Sequence, residues 1–326
     1  MRIHIHNPPD DPLFAITPAQ WDAAVARARD VGAGHEVSFG ETDAEFAGAI
    51  GEAEALIAAT GVVARHFPAA APRLKLIFAT SAGLDRLAPF DWLPPGVALL
   101  NNRGVHGAKG GEYVLMALLM LAGGMPGFVA DQRARRWDKR FSSVLAGRRA
   151  TVLGLGALGG AAAAQAARMG MRVTGVRAHP APHPDCAEVV GADALDRVLP
   201  GTEFLVLATP LTAATRGLLD RARLLLLPRG AGVVNIGRGA VLDQDALCDL
   251  LDAGHLGGAV LDVFVPEPVP PDHRLWTTRN LLMTPHVSAD DPATYNPRSL
   301  DLFMENLRAL RGGRALPNRF DPARGY

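Results

Sequence analysis

A chain of 326 residues, 48% of them apolar, can form about two domains with full cores, and its 35 glycines and 25 prolines imply many turns rather than disorder. Lysine plus arginine equals aspartate plus glutamate at 33 each, so net charge gives no sign of a nucleic-acid partner or an anionic membrane surface. The only two cysteines, Cys186 and Cys248, form neither a disulfide framework nor a CxxC pair; they read as small packing residues and suit a reducing cytoplasm.

Residues 1–10 contain no apolar h-region, which argues against a secretory signal. The longest apolar run, residues 114–125, falls short of the ~20 residues that span a bilayer, and reads as a buried helix or a subunit contact. Residues 2–6 predict a strand with Ile3 and Ile5 on one face. Residues 19–30 predict a helix with Thr17 as its N-cap and Pro18 in its first turn, placing Trp21, Ala24, Val25 and Ala28 on one side. Short strands near 36–39, 55–59 and 74–78 alternate with helical segments, the pattern of a parallel sheet covered by helices. The last of these runs into a small-residue loop, 79–83, at the strand end where open α/β sheets bind ligands. After Pro94, Pro95 and Gly96 come a strand at 97–100 and a glycine-rich stretch at 101–111, which marks a domain boundary. An apolar helix at 111–121 follows, then a basic segment at 133–140 around Trp137 that reads as a solvated face.

The next stretch organises the rest. Thr151, Val152 and Leu153 run straight into Gly154-Leu155-Gly156-Ala157-Leu158-Gly159, and residues 161–168 have strong helix propensity before Gly170 stops them. In a strand–turn–helix of this kind each glycine has a task. Gly154 permits the turn, Gly156 lets backbone approach a pyrophosphate, and Gly159 lets helix pack on strand. The helix N-terminus then offers free N–H groups to phosphate. Further strands are expected at 171–176, 204–208, 232–236, 258–263 and 281–283, and a final helix at 293–311. The dinucleotide-binding unit therefore starts in mid-chain, and the final helix is best explained by a return to the first lobe. The expected architecture is α/β, with two Rossmann-like lobes built on parallel sheets. A flavodoxin-like substrate lobe would comprise residues 1–104 and 287–326, and an NAD(P)-binding lobe residues 105–286. Two crossovers between lobes would create a cleft able to close on substrate.

Three charged residues sit just past strands of the second lobe: Arg238, Glu267 and His286. Around them the chain resembles the D-isomer-specific 2-hydroxyacid dehydrogenases. The matching stretches are the glycine turn, TPLT (209–212), VNIGRG (234–239), LDVF (261–264) with PEP (266–268), and TPH (284–286), in family order over roughly residues 75–310. Within the family, SAG (81–83), NRGVH (102–106) and EYVL (112–115) look most like the glyoxylate/hydroxypyruvate reductases.

The resemblance implies a hydride transfer between a nicotinamide cofactor and a 2-oxo acid, giving the D-2-hydroxy acid. Arg238 would hold the substrate carboxylate with a bidentate fork, work that lysine does poorly. His286 would be the general acid of reduction, and Glu267 would orient the imidazole and stabilise its protonated form. The backbone N–H groups of Ala82 and Gly83 would bind substrate. Gly154, Gly156, Ala157, Leu158, Gly159, Thr209, Pro210, Ile236, Gly237, Asp262 and His286 would line the cofactor, with Asp262 at the carboxamide. The family generally pairs through the helix at 111–121, so a homodimer is expected. No metal, nucleic acid or membrane partner is expected. Of the other histidines, His106 reads as a residue behind the site, while His4, His6, His35, His66, His179, His183, His255 and His273 read as ordinary surface or core residues.

The chain departs from the family's common NAD pattern at one point. No acid occurs between Gly160 and Pro184 to take the ribose hydroxyls, and Arg177 stands at the end of the second strand instead. A guanidinium there would grip a 2′-phosphate, so NADP(H) is the expected cofactor, with NAD(H) as the alternative. Two rival readings keep the fold. One is phosphite-type or formate-type dehydrogenation, of which the formate form is disfavoured by Glu267. The other is a nucleotide-sensing scaffold of the corepressor type.

Overall fold

Strand–helix alternation builds two units in the computed structural model, which describes all 326 residues: residues 1–105 with 291–326, and residues 106–290. In the first, β1 (Arg2–His6), β2 (Glu36–Gly40), β3 (Ala55–Ala58), β4 (Leu76–Ala79) and β5 (Ala98–Leu100) form a parallel sheet ordered β2-β1-β3-β4-β5, the flavodoxin-like order. Helices α1 (Pro18–Arg27), α2 (Arg29–Gly32), α3 (Asp43–Ile50) and α4 (Thr60–His66) supply the crossovers. Thr17 caps α1 as a capping box: its Oγ1 accepts from the Gln20 N–H at 3.2 Å, and the Gln20 side chain accepts from the Thr17 N–H at 3.0 Å. The C-terminal helix (Tyr295–Arg311) belongs to this unit and packs Leu300, Phe303, Met304 and Leu307 against Ile3, Ile5 and Phe78. Burying one such side chain contributes about 1.5–3 kcal/mol. The Tyr295 hydroxyl donates to the Thr80 carbonyl, tying the helix to the end of β4.

The second unit holds α5 (Gly107–Ala122), α6 (Met125–Arg133), β6 (Arg149–Leu153), α7 (Ala157–Arg168), β7 (Arg172–Val176), β8 (Glu188–Val190), α8 (Leu195–Val198), β9 (Phe204–Leu207), α9 (Arg221–Leu226), β10 (Gly232–Asn235), α10 (Gln244–Asp252), β11 (Gly258–Leu261) and β12 (Leu281–Met283). All seven strands are parallel, in the order β12-β11-β10-β9-β6-β7-β8. The order reverses between β6 and β9, so the loops leaving those two strands diverge around a crevice at their C-terminal ends, where such sheets bind nucleotides. Helix α5 crosses α7 closely because it carries Gly110 and Gly111. A Cβ at Gly110 would lie 2.5 Å from Leu158 Cδ2, and one at Gly111 would lie 3.2 Å from Ala161 Cβ.

Several boundaries differ from the sequence expectation for local reasons. The first helix breaks at Ala28 and restarts as α2. Helix α7 begins at Ala157, four residues before the alanine run, because the glycine turn itself enters the helix. The edge strand β8 has only three residues and is not among the expected strands, and α10 is likewise an addition, capped by Asp243, which accepts from the Ala246 N–H at 2.9 Å. No single helix is long and apolar enough to cross a membrane; α5 and α6 pass that test only together, and they are bent by 66°.

Three of the histidines assigned to packing form one cluster in the first unit. His4 is only 1% exposed and shares a 3.1 Å hydrogen bond with His6, while its other ring nitrogen meets Ser38 Oγ at 2.9 Å. His66 stacks on Phe46 at 4.0 Å, and the His6 ring packs edge-on against both. Burial first, and His6 second, push His4 down to about 4. Burial likewise lowers His6 and His66, with Glu45, Glu41 and Asp43 pulling weakly the other way. Below pH ~6.5 the unfolded chain takes up protons that these rings refuse in the native state. Stability is therefore fully present above pH ~6.5 and falls as pH drops towards 4, by on the order of 3 kcal/mol for His4 alone. Urea unfolding between pH 7.5 and 4.5 should show this slope, shallower in His4→Gln. An equal slope in the variant would remove His4 from the account.

Candidate active site

The glycine turn is built by close approach. Gly154 follows β6 with φ +90°, and a Cβ there would sit 2.8 Å from the Ala208 carbonyl oxygen at the end of β9. A Cβ on Gly159 would sit 1.7 Å from the Gly154 carbonyl oxygen, so helix α7 can lie this near its strand only with glycine. Gly156 has nothing within 4 Å of its Cβ direction, and it starts α7 with no side-chain cap. The turn thus leaves an open backbone face at Gly156 and Ala157, in front of helix N–H groups that no side chain satisfies. Across the switch point, Thr209 Oγ1 is buried without a hydrogen-bond partner. A cleared cradle plus an orphaned hydroxyl fits a dinucleotide running from Gly156 towards Thr209.

At the outer side of the turn Arg177 follows β7, its backbone N–H held by the Val190 carbonyl at 3.1 Å, and no acidic side chain pairs with its guanidinium. His183, expected to be an ordinary surface or core residue, lies nearby. Its Nε2 would be 3.2 Å from a Cβ on Gly160, so the ring covers the first turn of α7. Its Nδ1 accepts from the Asp185 N–H at 3.3 Å. That bond leaves Nε2 as the protonated nitrogen of the neutral ring. No spacing rule separates such a histidine from a loop residue.

The loop after β10 is shaped by Asn235, fully buried. Its Oδ1 accepts from the Gly237 N–H at 3.0 Å and its Nδ2 donates to the Arg238 carbonyl at 3.1 Å, closing the turn through Ile236 and Gly237. A Cβ on Gly237 would lie 2.8 Å from the Thr209 carbonyl oxygen, and one on Gly239 2.3 Å from Phe264 backbone. Arg238 sits half-buried between those glycines, its Nη1 donating to the Gly237 carbonyl at 2.8 Å. Ile236 is buried beneath it, while Pro210 stays exposed and its carbonyl accepts from Thr215 Oγ1 at 2.7 Å.

Glu267 and His286 meet. Glu267 Oε1 accepts from the Phe264 N–H at 2.8 Å, and Oε2 lies 2.9 Å from His286 Nδ1. A carboxylate can only accept, so Nδ1 carries a proton and Nε2 is the ring nitrogen that Glu267 leaves free. His286 is 42% exposed and Glu267 19%, a ring held from one side and open on the other. His286 also has φ +57°, rare for a residue with a Cβ, and its N–H donates to the Asp262 carbonyl at 2.9 Å. Asp262 is completely enclosed. Its Oδ1 accepts from Thr284 Oγ1 at 2.6 Å and the Val287 N–H at 2.9 Å, and its Oδ2 from the Ser288 N–H at 2.9 Å. The structure gives this side chain the work of folding the histidine loop.

His106, at the start of α5, has its Nδ1 3.3 Å from the Ala289 carbonyl and 3.5 Å from Asp290. Burial, with Arg238 adding to it, holds its imidazole below the usual histidine range against the pull of Asp290. Ala82 and Gly83 belong to the other unit, in the loop leaving β4. The Ala82 carbonyl accepts from Asn101 Nδ2 at 2.9 Å, and neither residue's N–H makes a backbone hydrogen bond.

A family model described as D-isomer specific 2-hydroxyacid dehydrogenase, NAD binding domain, matches residues 115–288. Among curated relatives, the glyoxylate/hydroxypyruvate reductase B of Pectobacterium atrosepticum is 32% identical over 283 residues, covering 84% of this chain and 87% of its own. The chain also matches D-3-phosphoglycerate dehydrogenases but spans about half their length, 49% of one from Arabidopsis thaliana. Among solved structures, a D-isomer specific 2-hydroxyacid dehydrogenase from Xanthobacter autotrophicus Py2, in complex with NADPH and MES, superposes with TM-score 0.82 at 32% identity, over 99% of both chains. An NADPH-dependent glyoxylate/hydroxypyruvate reductase from Sinorhizobium meliloti, in complex with NADP and sulfate, gives 0.81 at 27% identity, over 100% of this chain and 99% of that one.

The two glycines of the turn should separate folding from binding. Gly159→Ala should destabilise the chain by about 3 kcal/mol or more, since backbone must shift. Gly156→Ala should cost at most ~1 kcal/mol of stability yet weaken nicotinamide-cofactor binding at least about tenfold. Urea unfolding and fluorescence titration measure the two; equal destabilisation by both variants would refute the assignment of the open face to the cofactor.

Proposed function

Because the chain belongs to the D-isomer-specific 2-hydroxyacid dehydrogenases, a family of NAD(P)-dependent oxidoreductases, we propose that it reduces a small 2-oxo acid, glyoxylate or hydroxypyruvate, to the D-2-hydroxy acid with NADPH. The observation that carries the reading is the Glu267–His286 pair, 2.9 Å apart, in the same unit as Arg238 and the cleared glycine turn. Arg238 takes the substrate carboxylate with its planar fork and draws electron density from the neighbouring carbonyl. Bound nicotinamide supplies the hydride. His286 Nε2 gives its proton to the carbonyl oxygen as charge develops there, while Glu267 keeps the Nδ1 proton in place and balances the imidazolium beforehand.

NADP(H) is favoured by the Arg177 guanidinium, with no acid opposing it, and by the NADPH and NADP bound to the two related structures. Pairing into a homodimer is supported by large apolar side chains outside the core: Trp137 is 91% and Phe141 96% exposed, with Met116 and Leu119 on the outer face of α5. The segment around Trp137 thus serves a partner better than solvent. Two free cysteines, one buried, fit a cytoplasmic location.

Steady-state oxidation of NADPH and NADH against glyoxylate, hydroxypyruvate, pyruvate and phenylpyruvate tests the reading. Turnover should favour NADPH and the small acids, and fall by roughly 10²–10⁴ in His286→Ala. Arg177→Asp should reverse the cofactor ratio; an unchanged ratio would remove Arg177 from selectivity. No turnover with any acid, despite tight NADPH binding, would overturn the reductase and favour phosphite-type chemistry or a nucleotide-sensing scaffold. Sedimentation as a monomer at micromolar concentration would refute the dimer.

A further inference from the structure

Helix α5 reaches the histidine loop through one side chain. Tyr113, buried, places its hydroxyl 2.5 Å from Thr284 Oγ1, which is itself 2.6 Å from Asp262 Oδ1. Thr284 has a single hydroxyl proton, and the Asp262 carboxylate can only accept, so that proton points to Asp262. Tyr113 must therefore be the donor to Thr284. The result is a chain of one direction, from Tyr113 O–H to Thr284 O–H to the Asp262 carboxylate. Burial pushes the Tyr113 hydroxyl up to about 12, which keeps it a donor throughout the working range.

We propose that Tyr113 and Thr284 are positioning residues for the proton donor, holding Asp262 in the rotamer that folds residues 284–288 around its carboxylate and so aiming His286 Nε2. The loop's other backbone ties are the Thr284 N–H to the Leu261 carbonyl at 3.0 Å and the His286 N–H, which the Thr284 carbonyl shares at 3.0 Å. The His286 backbone occupies a left-handed conformation that costs on its own. Its N–H is held by the Asp262 carbonyl, and the next two N–H groups, Val287 and Ser288, both end on the Asp262 carboxylate. If that carboxylate rotates, two of the three backbone bonds to Asp262 go at once, and the ring keeps only Glu267. Tyr113 acts from the second turn of a helix, a rigid element, whereas every other group in the chain lies on strand-end loops. The kinetic part of this inference rests on His286 being the proton donor; the anchoring part does not.

Two readouts separate these parts. Amide hydrogen exchange at Val287 and Ser288 reports the anchoring without any turnover. In Thr284→Val and Tyr113→Phe it should accelerate about tenfold or more, and Thr284→Ser should restore the slow rate. Kinetically, kcat for the 2-oxo acid should fall about tenfold in Thr284→Val, with KM and the NADPH dissociation constant changed less than about twofold, and recover in Thr284→Ser. Unchanged exchange in both variants overturns the proposal. So does faster exchange with kcat intact, or a loss shared equally by KM and NADPH affinity, which would mark a purely structural role. An inactive wild-type protein would sink the reductase reading alone, while exchange would still decide whether Tyr113 and Thr284 anchor the loop.

Discussion

A buried carboxylate with no exposed surface, Asp262, decides where His286 stands. An ionised group so enclosed is tolerable only when donors surround it, and here the donors are the backbone and side chain of the loop that follows β12. The electrostatic need of one side chain thus becomes the conformation of five residues. The left-handed strain at His286 is held by those bonds, and Glu267, itself anchored on the Phe264 N–H, completes the aim of the ring. Stability and chemistry share the same contacts.

The other half of the site depends on missing side chains. At the β6/β9 switch point, Gly154, Gly159, Gly237 and Gly239 each stand where a Cβ would lie less than 3 Å from backbone. Loops from four neighbouring strands, β6, β9, β10 and β11, can interlock there only because nothing projects from them. That interlock leaves open backbone at Gly156 and one unsatisfied hydroxyl at Thr209. Arg238 emerges from the same tight turn, closed by Asn235, so its guanidinium extends from a fixed base.

Much of this was legible in the sequence because the informative residues are local ones. The glycine spacing, the strand ends and the three charged residues are each read from a few neighbouring positions, and the structure brings Glu267 and His286 together as the motifs imply. The two sheets of parallel strands likewise follow from simple alternation. What escaped depends on long-range contact. Tyr113 is one aromatic residue on an apolar helix, and nothing within α5 marks it as the partner of a threonine 171 positions away. His183 is placed over Gly160 by the fold of an irregular loop. Asp262 carries a family motif, but its enclosure appears only once the loop at 284–288 is folded around it. The basic segment around Trp137 is exposed as its charge implies, but the ion pairs of Arg136 and Arg140 with the buried Asp131 are not legible from its sequence.

In the proposed chemistry Glu267 works through His286 rather than beside it. A double-mutant cycle on kcat with Glu267→Gln, His286→Ala and the combined variant tests this directly. If the pair is one proton-handling unit, the double variant should be no slower than His286→Ala, within about twofold. Losses that multiply, so that removing Glu267 slows a protein already lacking the imidazole by its full single-variant factor, would contradict the account and give the carboxylate a separate task.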